Sequence, residues 1–394
     1  MRIAVLIGTS SKQAGGSHTY SSLLLEGILA SDLLRESELV FISGYKVVDS
    51  QVLFNPKNDE KSREKSDILS NFTCSLIRPI ISFAQRSKCV FQLVRTFRAI
   101  KLNRILNHQK IEFVWSLYPL SFPLNIPYAI PVWDLQHRLQ PFWPEVSRNH
   151  QWKLRELAFK NSIQQATLII VGTEVGAKEV SKFYGVPDAN ILVAPFPARK
   201  RTEPSIDRDP NLIFYPAQFW PHKNHVNLIL GFAEVVSSVN RNLRLLLPGS
   251  DMGNLRFVRN LVKELKIESN VIFLGFISDL ELANLYKSAS LMIYPSYFGP
   301  DNLPPLEALS KGCPVAVAEV SGAREQFSES VLYFNPDSPK QIAEVIKRTT
   351  GSGAQRSPSI SGAKFQSNQK SPEEIVAIIG HELLNFQSKR RNWE

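Results

Sequence analysis

The sequence predicts an α/β protein with two domains, each built on a mainly parallel sheet with helices on both faces. Its 394 residues exceed the size of about 250–300 residues at which a single core stops growing. Short apolar runs that end in glycine or in turn residues alternate with helical stretches, which favours parallel sheets. The composition, 43% hydrophobic and 21% charged, is typical of a globular protein and excludes disorder along most of the chain.

The first half begins with a strand, a glycine loop and a helix. The apolar run RIAVLIG at residues 2–8 is followed by Gly15 and Gly16, and then by the helical stretch at 21–34. This order brings backbone amides close to a ligand, so both glycines are candidate binding residues. The spacing is not G-x-G-x-x-G, and a dinucleotide site therefore gains little support. Three further strands are predicted in this half, at 38–45, 110–119 and 166–173.

A domain boundary is predicted where the composition changes. Residues 195–211 contain four prolines and no apolar periodicity, which is typical of a connection between domains. We therefore expect a first domain at 1–200, a linker at 201–211 and a second domain at 212–371. The polar, Gly/Ser-rich stretch at 351–372 is predicted to be a loop.

Cysteine content and hydropathy indicate where in the cell the protein is located. Cys74, Cys89 and Cys313 form no ligand or disulfide pattern, which fits a reducing compartment. The N-terminus becomes polar too early for a signal peptide, and no apolar run reaches the roughly 20 residues of a membrane helix. We expect a soluble, cytoplasmic protein. No nucleic-acid module is present, and nucleic acid is not an expected partner.

The net charge of +10 is partly concentrated between Arg78 and Lys110, where eight Lys or Arg residues occur and no acidic residue. Apolar residues recur at roughly helical spacing through the same segment. Two interpretations remain open. A basic amphipathic helix can lie on an anionic membrane surface, which would place the protein peripherally on the inner face of a membrane. Alternatively, the helix packs on its own domain and exposes a solvated basic face.

The stretch SYFGPDNLPPLEALSKGCPVAV, residues 296–317, is the most informative. A helix is predicted to start near Pro304, because proline suits the first helical position. Its unpaired N–H groups and its dipole form an anion site. Glu307 is expected in the first turn, where its carboxylate could hold a diol such as a nucleotide ribose. The turn at 312–314 then leads into an apolar strand at 315–318.

Several further blocks follow one another in order through the second half. They are FYPAQFWPHKNH at 214–225, RLLLPGSD at 244–251, NVIFLGFISDLELANLYKSASLMIYPS at 270–296 and VSGAREQF at 320–327. Together with the stretch above, they resemble the nucleotide-sugar site of retaining GT-B glycosyltransferases of the family four (group 1) type. The resemblance is strong over about half of the chain and weak in the N-terminal half.

The resemblance implies a GT-B fold, in which two Rossmann-like doubly wound domains face each other across a cleft. It implies that the helix at 372–394 returns to the first domain. It also implies a nucleoside-diphosphate sugar as donor, no cofactor and no bound metal. A saccharide or polyprenyl-linked saccharide is the expected acceptor.

The resemblance assigns the diphosphate contact to Lys223. The family usually has an arginine five residues earlier, and this position is Gln218 here. Half of the expected cationic pair is therefore missing. Donor binding then relies more on backbone amides, or on Arg324 in the VSGAR loop as a replacement cation.

The family has two acids that are seven residues apart. The second falls on Glu307 and resembles the ribose ligand, whereas the first falls on Gly299 and is absent. Asp301 and Asn302 could supply a polar group nearby, and Leu303 adjoins them in the same candidate binding loop. Asp301 is equally well explained as a turn-forming residue.

Other candidate residues rest on the same resemblance. Phe276 and Ile277 resemble the loop against which the nucleobase lies, and Gly249 resembles the glycine turn that ends the preceding strand. In the first domain the family often has a His–Asp pair after a strand, and here the histidine position is Trp133. Asp134 and His137 are our candidates for acceptor positioning or proton handling.

The predicted function is transfer of a hexose, with mannose as a candidate, to a saccharide acceptor in surface polysaccharide synthesis. One alternative is a degenerate GT-B protein that serves as a binding subunit. The loss of the family's arginine at Gln218 and of its first acid at Gly299 favours this alternative. Another is a phosphorylase or epimerase that acts on nucleotide sugars. His222 and His225 flank Lys223, but two histidines without a third ligand make a weak metal site.

Overall fold

Two mainly parallel sheets, each covered by helices, organise the computed structural model. The structure describes residues 1–8, 16–31, 37–48, 88–198, 208–350 and 369–391. One sheet is formed by strands of the first half and the other by strands of the second half. The predicted α/β class with two Rossmann-like domains is confirmed.

The first sheet has seven strands. They are β1 (Arg2–Ile7), β2 (Glu38–Ser43), β3 (Lys46–Val48), β4 (Phe113–Ser116), β5 (Tyr128–Pro131), β6 (Leu168–Val171) and β7 (Ile191–Val193). Their order is β3-β2-β1-β4-β5-β6-β7, and every neighbouring pair is parallel except the antiparallel β2–β3 pair. Every residue of β4 and β5 is buried, as expected for central strands that helices cover on both faces.

Six helices accompany this sheet in the described residues. They are α1 (Gly16–Ala30), α2 (Lys88–His108), α3 (Gln136–Leu139), α4 (Pro144–Ser147), α5 (Gln151–Gln164) and α6 (Glu174–Tyr184). Helix α6 has a clear beginning and end. The Thr173 side chain accepts a hydrogen bond from the Gly176 N–H, and Gly185 ends the helix in a left-handed conformation.

The second sheet has six strands, all parallel to their neighbours. They are β8 (Asp209–Phe214), β9 (Arg244–Pro248), β10 (Val271–Gly275), β11 (Ala289–Tyr294), β12 (Val315–Ala318) and β13 (Leu332–Phe334). Their order, β10-β9-β8-β11-β12-β13, is the 3-2-1-4-5-6 order of a doubly wound nucleotide-binding fold. The strand order reverses between β8 and β11, which marks the expected ligand position.

Helices again follow the strands of this sheet. They are α7 (His225–Ser238), α8 (Leu255–Glu264), α9 (Asp279–Ser288), α10 (Leu303–Ser310), α11 (Ala323–Phe327) and α12 (Pro339–Thr349). The loop before α9 is fixed by a capping box, in which Ser278 and Glu281 each bond the other's backbone N–H. This cap also fixes the end of the loop that follows β10.

A last helix, α13 (Pro372–Arg391), packs on α1 of the first domain. A Cβ atom at Gly27 would lie only 2.5 Å from the Pro372 carbonyl oxygen, so glycine permits this close contact. Strand β8 begins at Asp209, inside the range predicted as a linker. Because residues 199–207 and 351–368 lie outside the described residues, the domain boundaries stay predictions. No helix among the described residues has the length and apolar character needed to cross a bilayer.

Candidate functional site

A cleft of about 630 Å³ separates the carboxyl ends of the two sheets. The first domain contributes the start of α1 and the segments after β5 and β7, and the second contributes the loops after β8, β9, β10 and β11. Ligands of doubly wound folds bind at this edge of the sheet. Eleven predicted site residues line the cleft: Gly16, Asp134, Gln218, Lys223, Gly249, Phe276, Ile277, Asp301, Asn302, Leu303 and Glu307.

Glu307 lines the cleft from the second turn of α10. We expected it in the first turn, but the helix begins earlier, at Leu303, with Asn302 as its N-cap. The Tyr286 hydroxyl donates a hydrogen bond of 2.9 Å to Glu307 Oε2. Burial, together with the nearby Glu307 charge, raises the pKa of Tyr286 well above its usual value. The phenol therefore remains a donor and holds the carboxylate in place.

Lys223 ends a short 3-10 turn, Pro221–Lys223, that precedes α7. Its ammonium donates a hydrogen bond of 2.9 Å to the Tyr294 hydroxyl and lies 5.2 Å from the centre of that ring. The Tyr215 hydroxyl donates to the Lys223 carbonyl oxygen over 2.9 Å. These contacts place a cation at the switch point of the sheet, where it can meet an anionic ligand.

Gln218 stands where the resemblance leads us to expect an arginine, and it also lines the cleft. Its Oε1 atom accepts a hydrogen bond of 3.0 Å from the Trp220 indole N–H. The side chain thus contributes a neutral amide to the cleft instead of a second cation.

The loop at Gly299 has a conformation that a larger residue would strain. Gly299 has a φ of 145°, and a Cβ atom there would lie 2.2 Å from Asn302 Oδ1. The Asn302 amide donates to the Gly299 carbonyl oxygen over 2.7 Å, so the side chain folds back onto its own loop. A residue with a side chain at this position would therefore require the loop or the Asn302 side chain to move.

Asp301 follows in the same loop and reaches the first domain. A Cβ atom at Gly172 would lie 1.7 Å from Asp301 Oδ2, so this approach requires glycine on the opposite wall. Burial, with a smaller contribution from the Glu325 charge, raises the pKa of Asp301 to about 8. At neutral pH the carboxyl is therefore protonated and can donate a hydrogen bond.

Asp134 is held in the opposite protonation state. Its Oδ1 atom accepts hydrogen bonds from the Gln136 N–H over 2.9 Å and from Arg155 Nη2 over 2.8 Å. Burial acts to raise the pKa of Asp134, but the Arg155 charge and both hydrogen bonds outweigh it, and the net pKa is lowered. Arg155 also lines the cleft. Sequence reasoning missed it because it lies on α5, 21 residues further along the chain.

His137 does not reach the cleft, so the structure contradicts its proposed role in acceptor positioning or proton handling. Its side chain is fully buried, and Nε2 lies 3.1 Å from Glu156 Oε2 and 3.2 Å from the Tyr184 hydroxyl. Burial, the largest influence, and the Arg155 charge lower its pKa. Helix α3 turns this side chain into the interior of the first domain, where it has a structural position.

Arg324 also lies away from the cleft lining, and the suggestion that it replaces the missing cation is not supported. Its Nε–H donates to Glu319 over 2.7 Å, and its guanidinium lies 4.4 Å from the centre of the Tyr333 ring. Gly15 lies outside the described residues. His225 is buried against Phe219, with ring centres 4.3 Å apart. No cluster of metal ligands occurs in the part of the chain that the structure describes.

Polar contacts join the two domains on both sides of the cleft. On one side Gln140 Nε2 donates to the Tyr297 carbonyl oxygen over 3.1 Å, and His222 contacts Glu145. On the other side the Glu325 carboxylate accepts the backbone N–H groups at the start of α6. Glu145 lies in the segment after β5, but its partner could not be identified before the fold was known.

Two doubly wound domains with a cleft between the carboxyl ends of their sheets define the GT-B architecture. Residues 198–358 match the model of the family described as glycosyl transferases group 1. The match covers most of the second half of the chain, and the predicted resemblance is confirmed.

Solved structures share this fold across the whole chain. The sucrose-phosphate synthase of Thermosynechococcus elongatus aligns with a TM-score of 0.67 at 15% identity, covering 99% of this chain and 100% of that one. Anabaena HepE, in complex with UDP and glucose, aligns with a TM-score of 0.63 at 14% identity, covering 98% and 100%. At these identities the likeness establishes the fold.

Two curated relatives share part of the sequence. The O-antigen chain mannosyltransferase RfbU of Salmonella typhimurium is 26% identical over 54% of this chain and 58% of its own length. The O-antigen chain mannosyltransferase B of Escherichia coli is 22% identical over 61% of this chain and 67% of its own length. The chain thus spans about three fifths of RfbU and two thirds of the second relative.

The raised pKa of Asp301 predicts a change of stability with pH. Between the ordinary pKa of about 4 and the folded value of about 8, the unfolded chain loses this proton and the folded chain keeps it. This carboxyl therefore makes the free energy of unfolding fall as the pH rises from 4 to 8. Asp301→Asn should remove that contribution. Relative to the wild type, the substitution should therefore increase the free energy of unfolding more at pH 8 than at pH 5.

Urea unfolding at both pH values measures this difference. Asp188→Asn changes an exposed aspartate and serves as the matched control, for which we expect no change. An Asp301→Asn protein with the wild-type dependence on pH would show that the carboxyl is ionised in the folded state.

Proposed function

We propose that this protein is a retaining glycosyltransferase that moves a hexose from a nucleoside-diphosphate sugar to a saccharide acceptor. The observation that carries the proposal is that Lys223, Glu307 and the loop at Phe276 line one cleft at the switch point of a group 1 domain. A cation, a diol-binding carboxylate and an exposed apolar loop match the diphosphate, ribose and base of one nucleotide.

The second domain would hold the donor. The Lys223 ammonium and the positive end of the α10 dipole would stabilise the negative charge that develops on the leaving diphosphate. Glu307, oriented by Tyr286, would accept hydrogen bonds from the ribose hydroxyls. By the resemblance, the configuration at the anomeric carbon is retained and no metal is required. The leaving diphosphate can itself take the acceptor's proton on the same face of the sugar.

The first domain would hold the acceptor. Ionised Asp134 and its partner Arg155 offer fixed polar groups on that wall of the cleft. The contacts between the domains would exclude water and align the two substrates. Surface polysaccharide synthesis, with mannose as the transferred sugar, is supported by the O-antigen mannosyltransferases among the relatives.

Nucleotide binding is the first test of this function. Thermal unfolding is followed with UDP, GDP, dTDP, CDP and ADP, each in excess. A ligand at a hundred times its Kd stabilises the folded state by about 2.7 kcal/mol, which a melting curve detects. Glu307→Ala should weaken binding of the active nucleotide roughly ten- to a hundred-fold, since a hydrogen bond to a charged group is lost.

Glu264→Ala is the matched control, because this exposed glutamate lies on α8, away from the cleft lining. A shift with one nucleotide that only Glu307→Ala reduces would support the proposed donor site. If well-folded protein shows no shift with any nucleotide, the degenerate binding subunit becomes the better account.

We also propose that α2 binds an anionic membrane surface, which would bring the enzyme to a polyprenyl-linked acceptor. Leu102 and Leu106 pack this helix on the first domain, whereas Leu93 and Phe97 are each 69% exposed. The helix has five Lys or Arg residues and no acidic residue. An exposed apolar stripe with basic residues around it complements an anionic bilayer. One face of the helix would thus pack on the first domain, and the other would bind the membrane.

Vesicle sedimentation tests the membrane proposal. The wild-type protein should sediment with phosphatidylglycerol vesicles, less so at high salt, and not with phosphatidylcholine vesicles. Phe97→Ser should reduce binding several-fold, because it removes the exposed apolar side chain. Phe257→Ser removes a similarly exposed phenylalanine from α8 and should leave binding unchanged. Equal binding by all three proteins would contradict a role for α2.

A further inference from the structure

Glu145 and His222 form a contact that spans the cleft. Glu145 lies on α4 of the first domain, and His222 lies in the turn that carries Lys223. Glu145 Oε1 contacts His222 Nδ1 and also accepts the His222 backbone N–H over 3.3 Å. The two side chains are only 8% and 12% exposed, and both residues line the cleft. The imidazole is therefore held in one orientation.

This contact determines what the other ring nitrogen can bind. An ionised carboxylate only accepts hydrogen bonds, so the ring hydrogen lies on Nδ1 and Nε2 of the neutral ring is left as an acceptor. Burial, the largest influence, and the Lys223 charge lower the pKa of His222, against the opposing effects of Glu145 and Asp134. Phosphate oxygens carry no hydrogen to donate to Nε2, whereas a sugar hydroxyl does.

Other buried polar atoms in the same lining have the matching character. Within the described residues, Glu145 Oε2 accepts no hydrogen bond, and Trp133 Nε1 and Gln136 Nε2 donate none. Buried polar groups are almost always paired. Two donors and two acceptors on these four residues fit a ligand with several hydroxyl groups, each of which donates and accepts.

We infer that Glu145 orients His222 so that Nε2 accepts a hydrogen bond from a hydroxyl of the donor sugar when the cleft is closed. His222 adjoins Lys223, the proposed diphosphate contact, and the donor sugar is bonded directly to that diphosphate. The inference rests on the proposed function and adds a sugar-specific contact to it. Glu145 acts through His222 and is a positioning residue.

His222→Asn is the most informative variant, because an asparagine amide can replace Nδ1 toward Glu145 but leaves nothing at Nε2. Isothermal titration compares a nucleoside diphosphate with the same nucleotide carrying its sugar, GDP with GDP-mannose and UDP with UDP-glucose. We expect a loss of about 3- to 10-fold for the nucleotide sugar and no change for the nucleotide alone. A purely structural role would change both affinities together.

Glu145→Ala should give the same selective loss, and the double variant should lose no more than either single one, because the two residues act as a unit. His381→Asn changes an exposed histidine on α13 and should bind both ligands as the wild type does. If His222→Asn binds the nucleotide sugar with the wild-type affinity, or loses affinity for both ligands equally, this inference alone is overturned. Failure of the wild type to bind any nucleotide would overturn the proposed function with it.

Discussion

The close approach of the two domains across the cleft is the constraint on which the site depends. Each parallel sheet presents its carboxyl end to the other, so loops from unrelated parts of the chain meet in one narrow space. Asp301 can reach the opposite wall only because Gly172 has no side chain. The Glu145–His222 contact closes the same space on another side. A ligand between these walls is removed from water, where charges and hydrogen bonds act more strongly.

The same closeness gives two carboxyl groups of the cleft opposite properties. Asp134 has Arg155 as a partner and stays ionised, whereas burial and the Glu325 charge keep Asp301 protonated at neutral pH. One side chain therefore accepts hydrogen bonds and the other donates them. Environment, not residue type, decides each role. A hydroxyl-rich ligand suits such a mixed set of donors and acceptors.

Local patterns predicted the fold well. Buried apolar runs identified β1, β2, β4 and β6, and the block at 270–296 contains the strand–helix–strand unit β10–α9–β11 in the order observed. The short edge strands β3 and β7, of three residues each, carry too little pattern to be recognised. The start of α10 was misplaced by one residue, which moved Glu307 from the first turn to the second.

The site was predicted less completely, for a physical reason. Residues on one loop, such as those from Asp301 to Glu307, could be grouped because they are neighbours in sequence. Arg155, Tyr286 and Glu145 take part only through contacts between distant segments, and His137 faces the interior because of how α3 packs. Gly299 reads as a missing acid in the sequence, but the structure shows a loop whose backbone conformation itself favours glycine.

A crystal structure with the nucleoside diphosphate that stabilises the protein would show whether the cleft is the donor site. We expect the ribose hydroxyls within hydrogen-bond distance of Glu307 and the diphosphate between Lys223 and the N-terminus of α10. A nucleotide bound to the first domain, or outside the cleft, would contradict it.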